Sequence, residues 1–475
     1  MVFRNILLTA LLITLASLYG DNQTSTLSPV LPQTPLPFNV NIELANLTLP
    51  NGWHSGSFGT WDGKVLLFAG RTNGLHGFDD DPNVNNFPPS QQNTMVYVID
   101  FASQTIWQRS LYDPASGLTQ AQIDTLSVTS PQCYQSGHTL YMTGGYGIDT
   151  ATGTMGTKPV LSALDIPGIV QWVIEPKSRT FAKYLRQTTH PLVQVTGGEM
   201  FQLGPHQPTL LIFGQNFTGE YRDNSNGQYT RQVRSFHILD DGKHIYVAPS
   251  EEEPLINPAY RRRDLNVVPI MYQGKGKSKP RPGYLALSGV FTETSGIWTV
   301  PVFISPQGKS LMPDPEDPNT FKQAMNNYAC ANVGLFSENS KDMYIVLFGG
   351  ITYGYFENGV FQTDSEIPFT NEVTTIKMNR RGVFTQYLMD NQYPTIPSTF
   401  TNPGNPLLFG AGAQFIRNES LPIYQNGVLA FDKLRDGPIV IGYIVGGIQS
   451  TLPNTETNAD SAASPYLFLV TLSPR

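Results

Sequence analysis

Residues 344–350 read YIVLFGG, a short apolar run that ends in a glycine doublet. Five further runs follow the same pattern of an apolar stretch closed by glycine: VLLFAG at 65–70, LYMTGG at 140–145, LLIFG at 210–214, YLALSG at 284–289 and IGYIVGG at 441–447. A terminal glycine permits a sharp bend or the close approach of another strand. The recurrence indicates one structural unit used six times, and such a repeat defines the architecture before any single residue does.

Further strand-like stretches follow these runs. After the first run come 95–100 (MVYVID) and 105–110 (TIWQRS), and after the third come 232–238 (QVRSFHI) and 244–248 (HIYVA), joined by a turn at 240–242. These segments are rich in β-branched and aromatic residues and are joined by short polar turns, as in β-hairpins. Unrelated buried strands of a large β protein are the alternative interpretation.

The stretch VYVIDFASQTIWQ at 96–108 resembles the kelch family. Tyr97, Asp100, Thr105 and Trp107 fit the pattern of its third and fourth strands, and the glycine doublets of three runs are also kelch-like. In the second unit, Asp165 and Trp172 match this pattern more loosely. The resemblance implies the fold of the kelch and galactose oxidase superfamily, a β-propeller, and it implies no particular activity.

The two ends of the chain complement each other: the sixth unit lacks a fourth strand, and residues 38–49 (FNVNIELANLTL) alternate apolar and polar. We therefore predict an all-β, six-bladed, kelch-like β-propeller over 38–475, closed by this N-terminal strand beside 466–472. Closure would leave no exposed edge between the first and last blades. The alternative is that the N-terminal strand caps another sheet. Short helices in loops are expected at 115–126 and 318–327.

The first 20 residues have the character of a signal peptide, with Arg4 ahead of an apolar run at 6–18. A retained anchor is the alternative. Residues 21–37 are rich in Pro, Thr and Ser and are expected to be a linker. The mature chain is therefore expected to be secreted or periplasmic, in the cell envelope, and to contain no transmembrane segment. A net charge of −7 and the absence of a basic stripe argue against nucleic acid as a partner.

Cys133 and Cys330 lie near the starts of units two and five, which are opposite in a six-bladed ring, so buried free thiols are expected and a disulfide is the alternative. Asp79, Asp80 and Asp81 place several carboxylate oxygens close together and could hold calcium. This run lacks the ligand spacing of an EF-hand, and a solvated loop is the other interpretation. No other cofactor is predicted. The copper site of galactose oxidase needs paired histidines, and the seven histidines here are scattered.

The innermost strand of each blade lines the central channel, so its polar residues face one another. The candidate inner strands are 53–58, 135–139, 196–201, 262–269, 328–336 and 410–416. They predict a ligand-binding set at the channel mouth, consisting of His54, His138, Glu199, Arg262, Arg263, Asp264, Asn266, Asn332 and Gln414. The cluster at 262–264 is either part of this site or a structural network of arginine and aspartate, because buried charges require partners.

Two functions of different classes follow from this sequence. The first is a binding or interaction module for a glycan or a protein, using the long loops 71–94, 215–230 and 351–371, since loops on a rigid scaffold often carry function. The second is an extracytoplasmic carbohydrate-active enzyme, resembling sugar epimerases or oxidases, that works at the channel mouth. No catalytic motif is present, so the catalytic residues of such an enzyme are unknown from sequence. The oligomeric state is equally open.

Overall fold

The computed structural model describes residues 27–475, apart from 82, 176, 178–179, 223–224, 226, 252–253, 274–278, 291, 293–295, 435–436 and 456–458. The predicted signal peptide lies outside the described residues. Two α-helices are present in the described part, α1 (Gln120–Leu126) and α2 (Ile166–Ile174). Neither they nor any other described helix is long and apolar enough to cross a membrane. Short 3-10 turns occur at Pro89–Gln91, Pro114–Ser116, Phe181–Tyr184, Pro191–Val193, Pro258–Tyr260 and Phe431–Lys433.

Strands make up most of the regular structure. In the first half of the chain they are β1 (Val30–Pro32), β2 (Phe38–Thr48), β3 (Ser57–Trp61), β4 (Lys64–Phe68), β5 (Met95–Asp100), β6 (Thr105–Ser110), β7 (Gln132–Ser136), β8 (Thr139–Thr143), β9 (Tyr146–Asp149), β10 (Thr154–Thr157), β11 (Val160–Asp165), β12 (Leu185–Thr189), β13 (Glu199–Phe201), β14 (Thr209–Ile212), β15 (Gln215–Asn216), β16 (Gln228–Tyr229), β17 (Val233–Asp240) and β18 (Ile245–Pro249).

The second half continues the same alternation of short strands and loops. Its strands are β19 (Asn266–Tyr272), β20 (Arg281–Leu287), β21 (Val302–Ile304), β22 (Ser310–Leu311), β23 (Ala331–Phe336), β24 (Met343–Ile351), β25 (Gly354–Glu357), β26 (Val360–Thr363), β27 (Phe369–Met378), β28 (Phe384–Leu388), β29 (Gln414–Arg417), β30 (Leu429–Ala430), β31 (Ile439–Val445), β32 (Ile448–Ser450), β33 (Ser461–Ala463) and β34 (Tyr466–Pro474).

These strands form a β-propeller of antiparallel sheets. Five sheets have four strands: sheet 1 is β3-β4-β5-β6, sheet 2 is β7-β8-β11-β12, sheet 3 is β13-β14-β17-β18, sheet 4 is β19-β20-β21-β22, and sheet 6 is β29-β31-β34-β2. Sheet 5 has six, because β30 and β1 add in parallel to the edges of β23-β24-β27-β28. The six apolar runs of the sequence are the second strands of these sheets. Their apolar character follows from burial between neighbouring sheets.

Each hydrophobic cluster between sheets joins one sheet to the next. Leu66 and Val98 of sheet 1 pack with Leu140 and Leu164 of sheet 2, together with both helices. Equivalent clusters join sheets 2 and 3, 3 and 4, 4 and 5, and 5 and 6. A further cluster joins sheet 1 to sheet 6 through residues such as Leu67 and Leu467. The core is therefore divided into wedges between sheets.

Strand β2 is the outer strand of sheet 6. It pairs antiparallel with β34, in a register that runs from Phe38 opposite Pro474 to Leu44 opposite Phe468. Phe38, Val40 and Ile42 alternate toward the core and are at most 5% exposed. The alternation seen in the sequence is thus that of a strand with one buried face.

Several local expectations differ from the structure. Residues 318–327 form turns and extended chain instead of a helix, whereas α1 occupies the second half of 115–126. Trp172 lies on α2 and not on a strand, because Asp165 caps that helix by accepting a hydrogen bond from the Gly168 amide at 2.8 Å. Residues 30–32, expected to be linker, form β1.

Candidate functional site: the mouth of the central channel

A ring of left-handed residues surrounds the channel mouth. Each lies two positions before the first strand of a sheet, and together we call them the mouth ring: Ser55 (φ 51°), Ser130 (48°), Gly197 (67°), Asp264 (48°), Ala329 (50°) and Gly412 (69°). Four of them are not glycine, and such a conformation is uncommon and costly outside glycine. In most sheets the first strand begins three or four residues later than predicted, because the chain turns here before extending.

Within the described residues, backbone hydrogen bonds join five of the six neighbouring pairs of the mouth ring. The amide of Ser130 donates to the carbonyl of Ser55 at 2.8 Å, and the amide of Gly197 donates to Ser130 at 3.1 Å. The same link joins Asp264 to Gly197 at 2.8 Å, Gly412 to Ala329 at 2.6 Å, and Ser55 to Gly412 at 3.0 Å. These bonds explain how the strained residues are held in place.

Two further residues per sheet line the mouth, and their positions follow from the repeat. One directly precedes the mouth ring, and one directly follows the glycine that ends each apolar run. They are paired through their backbones: His54 with Arg71, Thr129 with Tyr146, Thr196 with Gln215, Arg263 with Val290, Tyr328 with Ile351, and Ala411 with Ile448. All twelve line one cavity of about 460 Å³.

The loops after the second strands build the walls of this cavity. The predicted binding loops 71–94, 215–230 and 351–371 all contribute lining residues. One side is a group of rings that we call the aromatic wall: His76, Phe78, Phe87, Tyr146, Phe217 and Tyr221. His76 stacks on Phe87 with ring centroids 4.5 Å apart. The Asn86 side-chain amide donates to the Tyr221 carbonyl at 2.9 Å and so ties two of the loops together.

Two neutral histidines lie beside this wall. His54 Nε2 donates to the Asn73 carbonyl at 2.9 Å, and His76 Nδ1 donates to the Gly77 carbonyl at 2.8 Å, since a carbonyl can only accept. Burial, reinforced by the charge of Arg71, lowers the pKa of His54 to about 3. Burial likewise lowers the pKa of His76 to about 3. Both imidazoles are therefore uncharged at neutral pH.

The predicted charge cluster at 262–264 divides into two parts. Arg263 and Asp264 line the cavity and form an ion pair with Nη1 and Oδ2 3.3 Å apart. Arg263 also donates to the hydroxyls of Tyr229 and Tyr221 at 3.0 and 3.3 Å. Burial raises the pKa of Asp264, and the charge of Arg263 opposes that rise. This pair belongs to the candidate site.

Arg262 does not reach the cavity. It is fully buried and donates to three carbonyl oxygens, those of Ala259, Ser288 and Val300, at 3.2, 3.2 and 2.9 Å. Its guanidinium lies 4.8 Å from the centre of the Trp298 ring. Arg262 therefore has a structural role, although its partners are carbonyl groups and not the aspartate of the expected network.

The other predicted site residues lie away from this cavity. His138 is exposed in the turn after β7, at the opposite end of its strand. Asn266 is buried and accepts from the Cys330 amide at 3.0 Å, while Asn332 donates to the Cys330 carbonyl at 3.2 Å. Glu199 and Gln414 are half-buried first residues of β13 and β29. Three of the nine predicted residues line the cavity, namely His54, Arg263 and Asp264.

The acidic loop is held by its own hydrogen bonds. Asp81 accepts from the amide and side chain of Asn83 at 2.9 and 2.8 Å, which lowers the pKa of Asp81. Arg222 donates to the carbonyls of Asp81 and Val84. Asp79 and Asp80 belong to the same loop, and calcium there stays a prediction. Among the residues that the structure describes, no three His, Cys, Asp or Glu side chains form a group suited to a metal ion.

Both cysteines are free, as expected. Cys330 is buried and donates to the Asn327 carbonyl at 2.9 Å, and burial raises the pKa of this thiol to about 12. Cys133 is half-buried, where full burial was expected. A role as reactive thiols is unsupported for either residue, since reactivity requires a lowered pKa.

Arg71, Tyr146 and the rest of the aromatic wall were missed by reasoning that looked only for polar residues on inner strands. The repeat itself carried a signal for two of them. Arg71 and Tyr146 are the residues directly after the glycines of the first two runs. A glycine that turns the chain at the end of a second strand directs the next residue to the channel mouth.

Glu199 supplies a prediction for the pH dependence of stability. Burial raises its pKa from 4.5 to about 8 in the folded protein. The folded state therefore favours the protonated form, and this contribution to stability is present below pH 4.5 and lost as pH rises toward 8. We expect Glu199→Gln to raise the melting temperature at pH 8.5 and to leave it nearly unchanged at pH 4.5.

Thermal melts of wild type, Glu199→Gln and the exposed control Glu357→Gln at pH 4.5, 6.5 and 8.5 measure this effect. The low pKa values of His54 and His76 reduce stability in acid equally in all three proteins. Parallel pH profiles for wild type and Glu199→Gln would show that this carboxyl is not desolvated in the folded state.

Comparison with known proteins adds little to this geometry. The chain matches no protein-family model. It also matches none of the curated protein sequences. Among solved structures, one titled "Structure of YjhT" aligns over 90% of this chain and 98% of its own, with 9% sequence identity and a TM-score of 0.45. The propeller assignment accordingly rests on the sheets and clusters of this chain.

Proposed function

We propose that this chain is a secreted or periplasmic, kelch-like propeller that binds a small glycan in the cavity at its channel mouth. The observation that carries the proposal is the cavity itself, where residues from all six repeated units meet. Its volume of about 460 Å³ lies within the roughly 300–1,000 Å³ of small-ligand sites. A protein partner would instead bury roughly 800 Å² of a flatter surface.

The lining suits a sugar. The aromatic wall offers ring faces that can cover the apolar C–H surface of a pyranose, because aromatic groups remove much apolar area from water. Hydroxyl and amide groups of Ser55, Thr196 and Gln215 lie in the same cavity and can bond to sugar hydroxyls. Rigid walls and a few polar groups are the usual composition of such a site.

Ring closure through β2 is the finer part of the proposal. We propose that sheet 5, with its two added edge strands, counts as the fifth of six blades, and that β2 closes the ring. The links of the mouth ring and the cluster between sheets 1 and 6 support this. The apolar segment at 6–18 supports export of the chain, and the turn that Asp100 makes by accepting from the amides of Ala102 and Ser103 supports the kelch resemblance.

A carbohydrate-active enzyme is the second candidate, favoured by the raised pKa of Asp264 in the cavity. General acid–base catalysis at neutral pH needs a group whose pKa lies near the pH of the reaction. His54 and His76, with pKa values of about 3, are poorly suited to that role. Binding without chemistry is therefore the better supported function.

The test is a glycan panel applied to the exported protein, followed by calorimetry of the positive sugars. We expect Phe78→Ala to weaken binding about tenfold, or ~1.4 kcal/mol, because it removes a half-buried ring of the aromatic wall. Phe400→Ala, a ring 36% exposed outside the cavity, is the control. Equal loss in both variants, or no bound glycan, contradicts the proposal. NMR of the bound sugars detects any turnover and would favour the enzyme instead.

A further inference from the structure

One cavity residue has hydrogen-bonding capacity that the described protein does not use. Arg71 is 2% exposed and lines the cavity. Its Nε donates to Asn73 Oδ1 at 2.8 Å, and its Nη2 donates to the Pro88 carbonyl at 3.3 Å. Its Nη1 is buried and has no hydrogen-bond partner within the described residues. Buried donors are normally satisfied, so an unpaired guanidinium nitrogen on a residue that lines a cavity indicates that an acceptor binds there.

Arg71 also carries a buried charge. Arg263, the other arginine of the cavity, is paired with Asp264, and Arg262 distributes its donors over three carbonyls. For Arg71, the described residues provide no ion pair within 4.0 Å, and its guanidinium lies 4.9 Å from the centre of the Phe87 ring. Burial lowers the pKa of Arg71 to about 10, so it stays a cation at neutral pH. A buried cation without an anion is costly, and a bound anion would remove that cost.

We propose that Arg71 binds the carboxylate of an acidic sugar in this cavity, with the sugar ring against the aromatic wall. The inference rests on the proposed glycan-binding function and names the class of glycan. Arginine suits this role because its planar N–H groups match a carboxylate, and charge-assisted hydrogen bonds are the stronger kind.

The surrounding charges favour a carboxylate over a phosphate ester. Only one cation in the described lining is left without a counter-charge, so a single negative charge is matched and a dianion is not. Asp264 and the rim residue Glu366 line the same cavity and would repel additional negative charge. The neutral state of His54 and His76 provides no further cation.

The experiment compares acidic sugars with their neutral counterparts. Calorimetry would measure the Kd values of glucuronate, galacturonate, glucose, galactose and glucose 6-phosphate for wild type, Arg71→Gln, Arg71→Lys and Arg417→Gln. Arg417 is a half-buried arginine outside the cavity and serves as the matched control. We expect a uronate to bind wild type and the control roughly 10- to 100-fold more tightly than its neutral hexose, the range for hydrogen bonds to charged groups.

In Arg71→Gln we expect this preference to disappear, because uronate binding weakens while hexose binding changes less than about threefold. Arg71→Lys keeps the charge without the planar fork, so its preference should be intermediate, and it replaces the glutamine variant if that variant does not fold. A hexose that binds as tightly as its uronate, or tighter binding of the phosphate, overturns the carboxylate inference but leaves glycan binding intact. A preference unchanged in both Arg71 variants overturns the assigned residue. If none of the five sugars binds, both the proposed glycan-binding function and the carboxylate inference are overturned.

Discussion

Removal of residues 27–48 should abolish cooperative folding of the propeller. The truncation takes away β2, whose ladder with β34 runs from Phe38 to Thr48, and leaves the edge of β34 unpaired. It also removes Phe38, Val40 and Ile42 from the cluster that joins sheets 5 and 6. A newly exposed apolar edge strand favours aggregation. Size-exclusion chromatography and urea unfolding followed by tryptophan fluorescence would measure the loss.

Point variants on the same strand make this prediction quantitative. Phe38→Ala should cost about 3–5 kcal/mol, because the ring is fully buried and packs edge-on to Tyr344 with centroids 5.4 Å apart. Leu44→Ala is the matched control on β2; its side chain is 44% exposed, so the cost should be about 0.5 kcal/mol. A truncated protein that unfolds at the urea concentration of the full chain would disprove closure through β2.

Gly144→Ala should destabilise the protein by about 2–5 kcal/mol, through left-handed strain of about 1–2 kcal/mol together with overpacking of about 1–3 kcal/mol. Gly144 has a φ of +65°, and a Cβ added there would lie 1.8 Å from the Val195 carbonyl oxygen. That contact is with backbone and cannot be relieved by rotating a side chain. The movement would be transmitted to the nearby Tyr146 in the aromatic wall, so binding should weaken as well.

Gly153→Ala is the control for this effect. Gly153 has a φ of +70°, but no atom lies within 4 Å of the position that an added Cβ would take. It should therefore show only the backbone strain, about 1–2 kcal/mol. Equal urea midpoints for the two variants would mean that the chain at 144 moves freely away from Val195, and that the doublet is not a close-packing position.

Some residues of the candidate site could be predicted from local sequence and others could not. His54, Arg263 and Asp264 were found because each lies at the start of a segment that was expected to face the channel. His138 and Asn332 lie further along their segments and are away from the cavity, since a strand that starts three or four residues from its predicted position changes which residues reach the mouth. Strand boundaries depend on the turns before them, and the left-handed conformations of Ser55 and Asp264 have no glycine to mark them.

The sequence by itself determined a repeated all-β architecture, because apolar runs ended by glycine recur six times and local hairpin patterns follow them, and the kelch resemblance implied a propeller. It also pointed to the loops 71–94 and 215–230, which contribute lining residues to the cavity. Only the tertiary structure decided which charges share the cavity. Arg262 and Arg263 are adjacent and chemically identical in the sequence, yet one is buried among carbonyls and the other pairs with Asp264 at the mouth. Likewise, only the tertiary structure shows that Nη1 of Arg71 is buried without a hydrogen-bond partner among the described residues.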